Sequence, residues 1–238
     1  MFYFLLPTLM SYNILLLAAA VIPAFFLMVK VYRSDRLERE SPAILLSLVK
    51  AGILSSLIAL VLERVLSMLL NVTIADKKVY QALLYFVVVA FSEEGAKYFM
   101  LRRTTWESRE FNCQYDGVVY AVFVSLGFAL WENISYVMHY GISTAIIRAV
   151  TAIPGHTCFG VFMGIFYGIA RKLANQGKQD KEKLYQVLAV LIPALLHGAY
   201  DYIASIESGT WFFVGFIALM FALSYVLIVR SARQDRYI

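Results

Sequence analysis

Seven long apolar runs follow one another along the chain. They occupy residues 2–31, 43–62, 79–101, 117–137, 159–170, 184–203 and 211–229. A helix needs about 20 apolar residues to cross about 30 Å of hydrocarbon, and a backbone in lipid must satisfy its hydrogen bonds internally. Hydrophobic residues make up 61% of the chain, against about 45 to 50% in a soluble domain. The sequence therefore predicts an all-α fold, a polytopic integral membrane bundle of about seven transmembrane helices.

Basic residues fall mainly in alternate connections between these runs. Fifteen Lys and Arg residues lie in one set of loops and in the C-terminal tail, whereas four lie in the opposite set. Because cytoplasmic loops retain basic residues, we expect the N-terminus outside and the C-terminus in the cytoplasm. The net charge of +5 follows from this asymmetry, so no nucleic-acid partner is expected.

The third run is interrupted by charged residues at Glu93, Glu94 and Lys97. Each ionised group at a bilayer centre costs roughly 2.5 to 3.5 kcal/mol on insertion scales, so intramembrane charges usually mark a functional site. On a helix, Lys97 lies within reach of both carboxylates, and the i+4 position of Glu93 is the more favourable one. The simpler interpretation is an internal ion pair that only holds helices together.

Three later runs also carry ionisable residues. The fourth contains Phe128 and Glu132 one helical turn apart, the fifth begins near His156, and the sixth contains His197 and Asp201 one turn apart. An aspartate at i+4 can accept a hydrogen bond from one imidazole nitrogen and leave the other for a metal, a water or a substrate. Taken alone, each of these groups is equally compatible with helix packing.

The fifth run repeats glycine at every fourth position, at Gly160, Gly164 and Gly168. A helix face without side chains lets another backbone approach closely. This helix is therefore predicted to be central, with His156 directed toward the packed interior. The preceding segment 139–150 is too short and too polar to cross a membrane, and we interpret it as an amphipathic lid on the outer surface.

Ionisable groups on four consecutive helices are most economically placed in one shared polar cavity, because each needs a partner at membrane depth. The groups are Glu93, Glu94, Lys97, Glu132, His156, His197 and Asp201. We therefore interpret residues 1–238 as a single membrane domain with a catalytic helical core at 79–203. Residues 1–71 and 211–238 are interpreted as peripheral scaffold helices.

Carboxylates and histidines in a dry pocket can activate a water in two ways. A glutamate can act as the general base while histidines hold the oxyanion, or histidines and acids can bind a metal that generates hydroxide. Glu94, Glu132, His156 and His197 offer N and O ligands suited to zinc, with a position left for water. The zinc mechanism and the metal-free glutamate mechanism both stay open.

Three other functions fit parts of the pattern. Chains of Glu, His and Asp also relay protons in ion-coupled transporters, although neither half of this sequence repeats in the other. An aspartyl protease dyad of Asp116 and Asp201 would lack its GxGD motif, and Asp116 is predicted near the cytoplasmic edge. A non-catalytic membrane scaffold is also compatible with the sequence.

Four short motifs occur in order on the four ionisable runs. They are EExxK from Glu93 to Lys97, FxxxE from Phe128 to Glu132, HxxxG from His156 to Gly160, and HxxxD from His197 to Asp201. Together, over roughly residues 79–202, they resemble the PrsW family of bacterial membrane proteases, part of the superfamily that includes the type II CAAX prenyl proteases. The resemblance implies a membrane peptidase with catalytic residues Glu93, Glu94, His156 and His197 and supporting residues Lys97, Phe128, Glu132 and Asp201.

The same resemblance implies a location in the bacterial plasma membrane and a substrate. The expected reaction is site-1 cleavage of a membrane-anchored anti-sigma factor, which activates an extracytoplasmic-function sigma factor under envelope stress or antimicrobial-peptide attack. Prenyl proteases carry EExxxR, FxxxH and HxxxN where this chain has the motifs above. That departure argues against prenylated substrates, and Glu132 in place of a histidine changes the charge of the pocket.

Overall fold

The structure is a computed structural model that describes the backbone of residues 2–238 and the side chains of residues 12–238. The helices are α1 (Phe2–Ser34), α2 (Pro42–Thr73), α3 (Lys77–Leu83), α4 (Ala90–Thr105), α5 (Asp116–Tyr140), α6 (Ile142–Val150), α7 (Ala152–Asn175), α8 (Gln179–Ala204) and α9 (Thr210–Arg233). A π-helical segment (Leu84–Val89) joins α3 to α4. The predicted all-α fold is confirmed.

Within the described part of the chain, six helical stretches are long and apolar enough to cross a membrane. They are α1 from Tyr12, α2, α5, α6 together with α7, α8 and α9, which confirms a multi-pass membrane protein. The third predicted run corresponds to α3, the π segment and α4, which continue one another over residues 77–105 and extend about 43 Å at 1.5 Å per residue. The orientation of the two termini stays a prediction.

α2 is longer than predicted and ends at Thr73 rather than at residue 62. The charged pair Glu63 and Arg64 lies inside the helix, because apolar residues resume directly after it and continue the helical pattern. The helix begins at Pro42, where Ser41 caps it by accepting a hydrogen bond from the Ile44 amide. The extension carries Glu63 alongside the centre of the bundle, where it faces a cavity.

The segment 139–150 consists of the last two residues of α5, Gly141 and the short helix α6. α6 packs against α1, α5 and α7 through the buried Ala145, while Ile146, Ile147 and Val150 are more than half exposed. Its apolar outer face suits contact with lipid, and its single charged residue, Arg148, lines the same cavity as Glu63.

α5 forms the centre of the bundle. Sixteen of its residues are buried, against three of α9, and it packs on α7, α2 and α1. Residues 116–129 are buried on every side, as expected of a helix enclosed by other helices and not by lipid. This position brings the later residues of α5 to the middle of the site.

The glycine repeat of α7 faces α5, which confirms the predicted close approach of another backbone. A Cβ atom on Gly164 would overlap the backbone of Gly117 and Val118, and one on Gly160 would lie 3.0 Å from the Cα atom of Val122. The two backbones approach this closely because α7 has no side chains along the crossing and α5 has Gly117 at one end of it. His156, one turn before Gly160, is consequently buried against α5.

Gly164→Ala is expected to destabilise the protein, because overpacking a tight helix crossing costs about 1 to 3 kcal/mol. Thermal unfolding of the purified protein in detergent measures the change. The control is Gly215→Ala on α9, where an added Cβ meets no atom within 4 Å. Equal melting temperatures for the two variants would contradict the close packing of α5 and α7.

Candidate active site

The polar part of α4 begins one turn after the π segment. π-Helical turns occur frequently at functional sites, and this one packs on α8 and α2 while α4 packs on α2, α5 and α8. Glu93, Glu94 and Lys97 are all buried as a result. The charged face of α4 is thus directed into the bundle and not toward lipid.

Lys97 binds both carboxylates, as the helical spacing predicted. Its Nζ atom donates to Glu94 Oε1 at 2.7 Å and to Glu93 Oε2 at 3.1 Å, and lies 3.2 Å from Nδ1 of His156. The shorter bond is to Glu94, although the i+4 position favoured Glu93. Lys97 binds one oxygen of each carboxylate, so the other oxygens of the pair are left for further partners.

His156 connects α7 to α5. Its Nε2 atom lies 2.9 Å from Glu132 Oε2, so Nε2–H donates to the carboxylate while Nδ1 faces Lys97 and accepts. The ring of Phe128 lies 5.6 Å from the His156 ring, and the Lys97 Nζ atom is 4.0 Å from the centre of the Phe128 ring. Phe128 thus forms an aromatic wall beside the ammonium group, an arrangement that favours the cation.

His197 connects α8 to α4. Its Nδ1 atom lies 3.0 Å from Glu94 Oε1, and its Nε2 atom lies 3.4 Å from Asp201 Oδ2, which confirms the predicted i+4 pair. The Phe159 ring stacks on the imidazole with centroids 4.7 Å apart. Asp201 and Phe159 together fix the orientation of the ring and direct Nδ1 toward the glutamates.

The structure therefore brings together every residue that the sequence placed in the site. Four helices contribute: α4, α5, α7 and α8. The members are Glu93, Glu94, Lys97, Phe128, Glu132, His156, His197 and Asp201, connected by the contacts given above. The expectation of one shared polar cluster is met by the described residues.

A cavity of about 720 Å³ opens next to this cluster. Glu93, Glu132, Asp201, His156 and His197 line it, together with aromatic side chains from several helices, whereas Glu94 is fully buried behind Glu93. A substrate or water in the cavity can therefore reach Glu93 directly but not Glu94.

Two charged residues of the cavity were missed by reasoning from the sequence. Glu63 was assigned to a scaffold helix and Arg148 to a surface lid, but both line the cavity. Arg148 forms an ion pair with Glu132, with 2.9 Å between Nη2 and Oε2. For Glu63, the apolar residues that continue α2 beyond it were the available signal. For Arg148, the signal was its position as the single charge of an otherwise apolar helix.

The donor atoms suit a cation. One atom each from Glu93, Glu94 and His156 lies within 4.8 Å of the others, and His197 Nδ1 lies 3.0 Å from Glu94 Oε1. Both histidines are backed by a carboxylate on Nε2, the arrangement that orients histidine ligands in metal sites. The donor set therefore fits zinc. In this structure the ammonium group of Lys97 lies among these atoms.

Asp116 lies far from this cluster. It starts α5, sixteen residues before Glu132 on the same helix, which corresponds to about 24 Å. Its carboxylate accepts hydrogen bonds from the amides of Asn112 and Cys113 and lies near Asp35 and Glu40. Burial raises the pKa of Glu40 to about 7, although a hydrogen bond from Tyr120 opposes the shift. Asp201 instead contacts His197, so Asp116 and Asp201 form no catalytic dyad.

Buried carboxylates and histidines on facing helices, beside a cavity inside a membrane bundle, supply the groups that an intramembrane hydrolase needs. The sequence comparison identifies the family. The profile described as "PrsW family intramembrane metalloprotease" matches residues 40–228, and the chain belongs to this family. It is an intramembrane protease and thus a hydrolase.

Several curated bacterial proteins are similar over much of the chain. Protease PrsW of Clostridioides difficile (strain 630) is 34% identical over 223 residues, covering 91% of this chain and 87% of that protein. Protease PrsW of Oceanobacillus iheyensis is 31% identical over 219 residues, covering 91% and 95%. Protease PrsW of Bacillus subtilis (strain 168) is 34% identical over 151 residues, covering 63% and 66%. No solved structure matches the chain.

Proposed function

We propose that this protein makes the site-1 cleavage of a membrane-anchored anti-sigma factor, with Glu93 as the general base. The observation that carries the choice of Glu93 as the base is a difference between the two adjacent carboxylates. Glu93 lines the cavity, whereas Glu94 is enclosed and bound by Lys97 and His197. A general base must reach the proton that it removes, and of the two only Glu93 faces the space where water and substrate fit.

Hydrolysis then needs two proton transfers by one carboxylate. Glu93 removes a proton from a water as the water oxygen attacks the scissile carbonyl carbon, and it returns the proton to the amine when the C–N bond breaks. Glu94 accepts hydrogen bonds from both Lys97 and His197 and so holds these two groups in position. It does not itself meet the substrate.

Glu94, His156 and His197 are the residues that would hold zinc, a His₂Glu set of the kind that hydrolytic zinc sites use. Glu132 is left out of this set because it contacts Nε2 of His156, on the other side of the ring from Lys97. Bound zinc would supply Lewis-acid activation of the water. Lys97 has to withdraw its ammonium group from among these atoms for that ion to enter.

The cavity is suited to an extended peptide segment next to a transmembrane span. Its charged groups lie inside the bundle, and its wall includes the aromatic residues Trp131, Tyr136 and Phe213. A single-span anti-sigma factor presents such a segment beside the outer end of its helix. The positive-inside pattern predicts that the residues lining the cavity lie toward the outer side of the membrane. A first cut near the outer end of the substrate span agrees with this position.

The test is cleavage in liposomes that contain the full-length chain and a single-span anti-sigma factor from the host organism. Fragments are identified by mass spectrometry, and zinc is measured by elemental analysis of the same samples. We expect one cut near the outer end of the substrate span and about one zinc per chain. Chelation should remove activity, and added zinc should restore it.

The outcomes separate the parts of the proposal. Cleavage by protein that contains no metal would overturn the zinc assignment and leave Glu93 as base. Cleavage of other single-span substrates, but not of the anti-sigma factor, would overturn the substrate assignment. If folded, zinc-loaded protein cleaved neither the anti-sigma factor nor any other single-span substrate, the proposed reaction would be overturned.

A further inference from the structure

Arg148 is the single charged residue of α6, and it makes three contacts with α5. Its Nη2 atom lies 2.9 Å from Glu132 Oε2, its Nε atom donates to Asn133 Oδ1 at 2.8 Å, and its guanidinium carbon lies 4.1 Å from the centre of the Tyr136 ring. A planar guanidinium group can make all three contacts at once, which an ammonium group on a flexible stem cannot.

The contact with Asn133 gives Arg148 a fixed anchor. Asn133 is fully buried, and its Nδ2 atom donates to the carbonyl oxygen of Ala20 in α1 at 2.9 Å. With its amide group held on both sides, Asn133 holds Nε of Arg148 in one position. The Nη2 end of the guanidinium group is thereby kept beside Glu132, with which it forms an ion pair.

Glu132 uses a single oxygen for two partners. Its Oε2 atom lies 2.9 Å from Nη2 of Arg148 and 2.9 Å from Nε2 of His156. The side chain of Glu132 is about a quarter exposed to the cavity, so without Arg148 it is free to rotate into the cavity. A carboxylate that left His156 would no longer hold Nε2–H, and Nδ1 would lose its defined role as the acceptor facing Lys97.

We propose that Arg148 is a positioning residue that holds Glu132 against His156, so that α6 has to be docked for the site to be ordered. The kinetic test of this inference rests on the proposed function, because it measures cleavage. The spectroscopic test does not. It assigns a role in catalysis to the segment that the sequence suggested was only a surface lid. Arg148 acts through Glu132 and touches no reacting atom.

Kinetics in liposomes test this role with a fixed single-span substrate. Arg148→Ala is expected to lower kcat about 10 to 100-fold, the usual effect of losing a partner behind a histidine in the site, with a much smaller change in KM. Arg148→Lys should recover part of the loss. Guanidinium ion at millimolar concentration should restore kcat in the Arg148→Ala variant. It should not restore kcat in the double variant that also carries Glu132→Gln. The control is Ile146→Ala, on the exposed face of α6, which should retain wild-type kcat.

A spectroscopic measurement does not depend on cleavage. The chain has three histidines, so solid-state ¹⁵N spectra of histidine-labelled protein are simple to assign. Arg148→Ala should shift the Nε2 signal of His156, because this N–H loses its carboxylate acceptor whether Nδ1 faces Lys97 or zinc, and should leave the signals of His139 unchanged. An unchanged His156 signal, or an unchanged kcat with only a lower melting temperature, would overturn the proposal and leave Arg148 as a structural tie between α6 and α5. A wild type that cleaves nothing would contradict the proposed function, while the His156 signal still decides the role of Arg148.

Discussion

Glu93→Gln is expected to abolish cleavage while the protein stays folded. The variant keeps the shape of the side chain and removes the group that accepts the proton, so the rate should fall by about 100 to 10,000-fold, the usual contribution of general-base catalysis. The hydrogen bond from Lys97 Nζ to this position can persist, because a Gln carbonyl also accepts. The measurement is the cleavage rate in liposomes together with the melting temperature.

Glu94→Gln is expected to differ from Glu93→Gln in stability. Glu94 is fully buried, and Lys97 and His197 both bind its Oε1 atom. Breaking a buried ion pair costs up to about 3 to 5 kcal/mol, and without Glu94 the buried Lys97 keeps only the longer bond to Glu93, at 3.1 Å. This variant should therefore lose activity and also melt at a clearly lower temperature.

Glu63→Gln is the matched control for both variants. Glu63 lines the same cavity but makes none of the contacts that connect Glu93, Glu94 and Lys97 in the described part of the chain. Its substitution should leave the cleavage rate within a few-fold of the wild type. Full activity of Glu93→Gln, or a rate loss in Glu63→Gln as large as that of Glu93→Gln, would remove Glu93 from the role of base.

Contacts within one helix could be predicted from the sequence because helical geometry fixes them. Lys97 reaches Glu93 and Glu94, and His197 reaches Asp201, through the i+3 and i+4 spacing alone. The membrane class could be predicted for a similar reason, since the length of an apolar run is a local property. The helical contacts span at most four residues and an apolar run about 20, and neither requires knowledge of the bundle.

Contacts between helices could not be predicted, because they depend on how the bundle packs. The bonds from Lys97 to His156 and from His197 to Glu94 join residues 59 and 103 positions apart. Motif order suggested that these groups share a cavity, but not which nitrogen of each histidine faces the glutamates. Arg148 was missed because its partners lie on α5 and become visible only when α6 is docked.

Asp201→Asn is expected to weaken zinc binding about 10 to 100-fold and to lower activity in proportion, the usual consequence of losing the carboxylate behind a ligating histidine. Asp201 Oδ2 lies 3.4 Å from Nε2 of His197, on the opposite side of the ring from Glu94. The side chain therefore orients the imidazole without meeting the glutamates. Added zinc should restore much of the activity, and elemental analysis should show lower zinc content before the addition.

His197→Ala decides between the metal and metal-free mechanisms when it is compared with Asp201→Asn. With His197 as a zinc ligand, His197→Ala loses both zinc and cleavage, while Asp201→Asn is rescued by zinc. With His197 acting only as an oxyanion donor, His197→Ala costs about 100 to 1,000-fold in rate, and zinc rescues neither variant. His139→Ala is the matched control, because His139 is exposed at the end of α5 and should retain both zinc and activity. Wild-type rates in both His197→Ala and Asp201→Asn would instead place α8 outside the catalytic machinery, because a residue that binds zinc or the oxyanion cannot be removed without loss of rate.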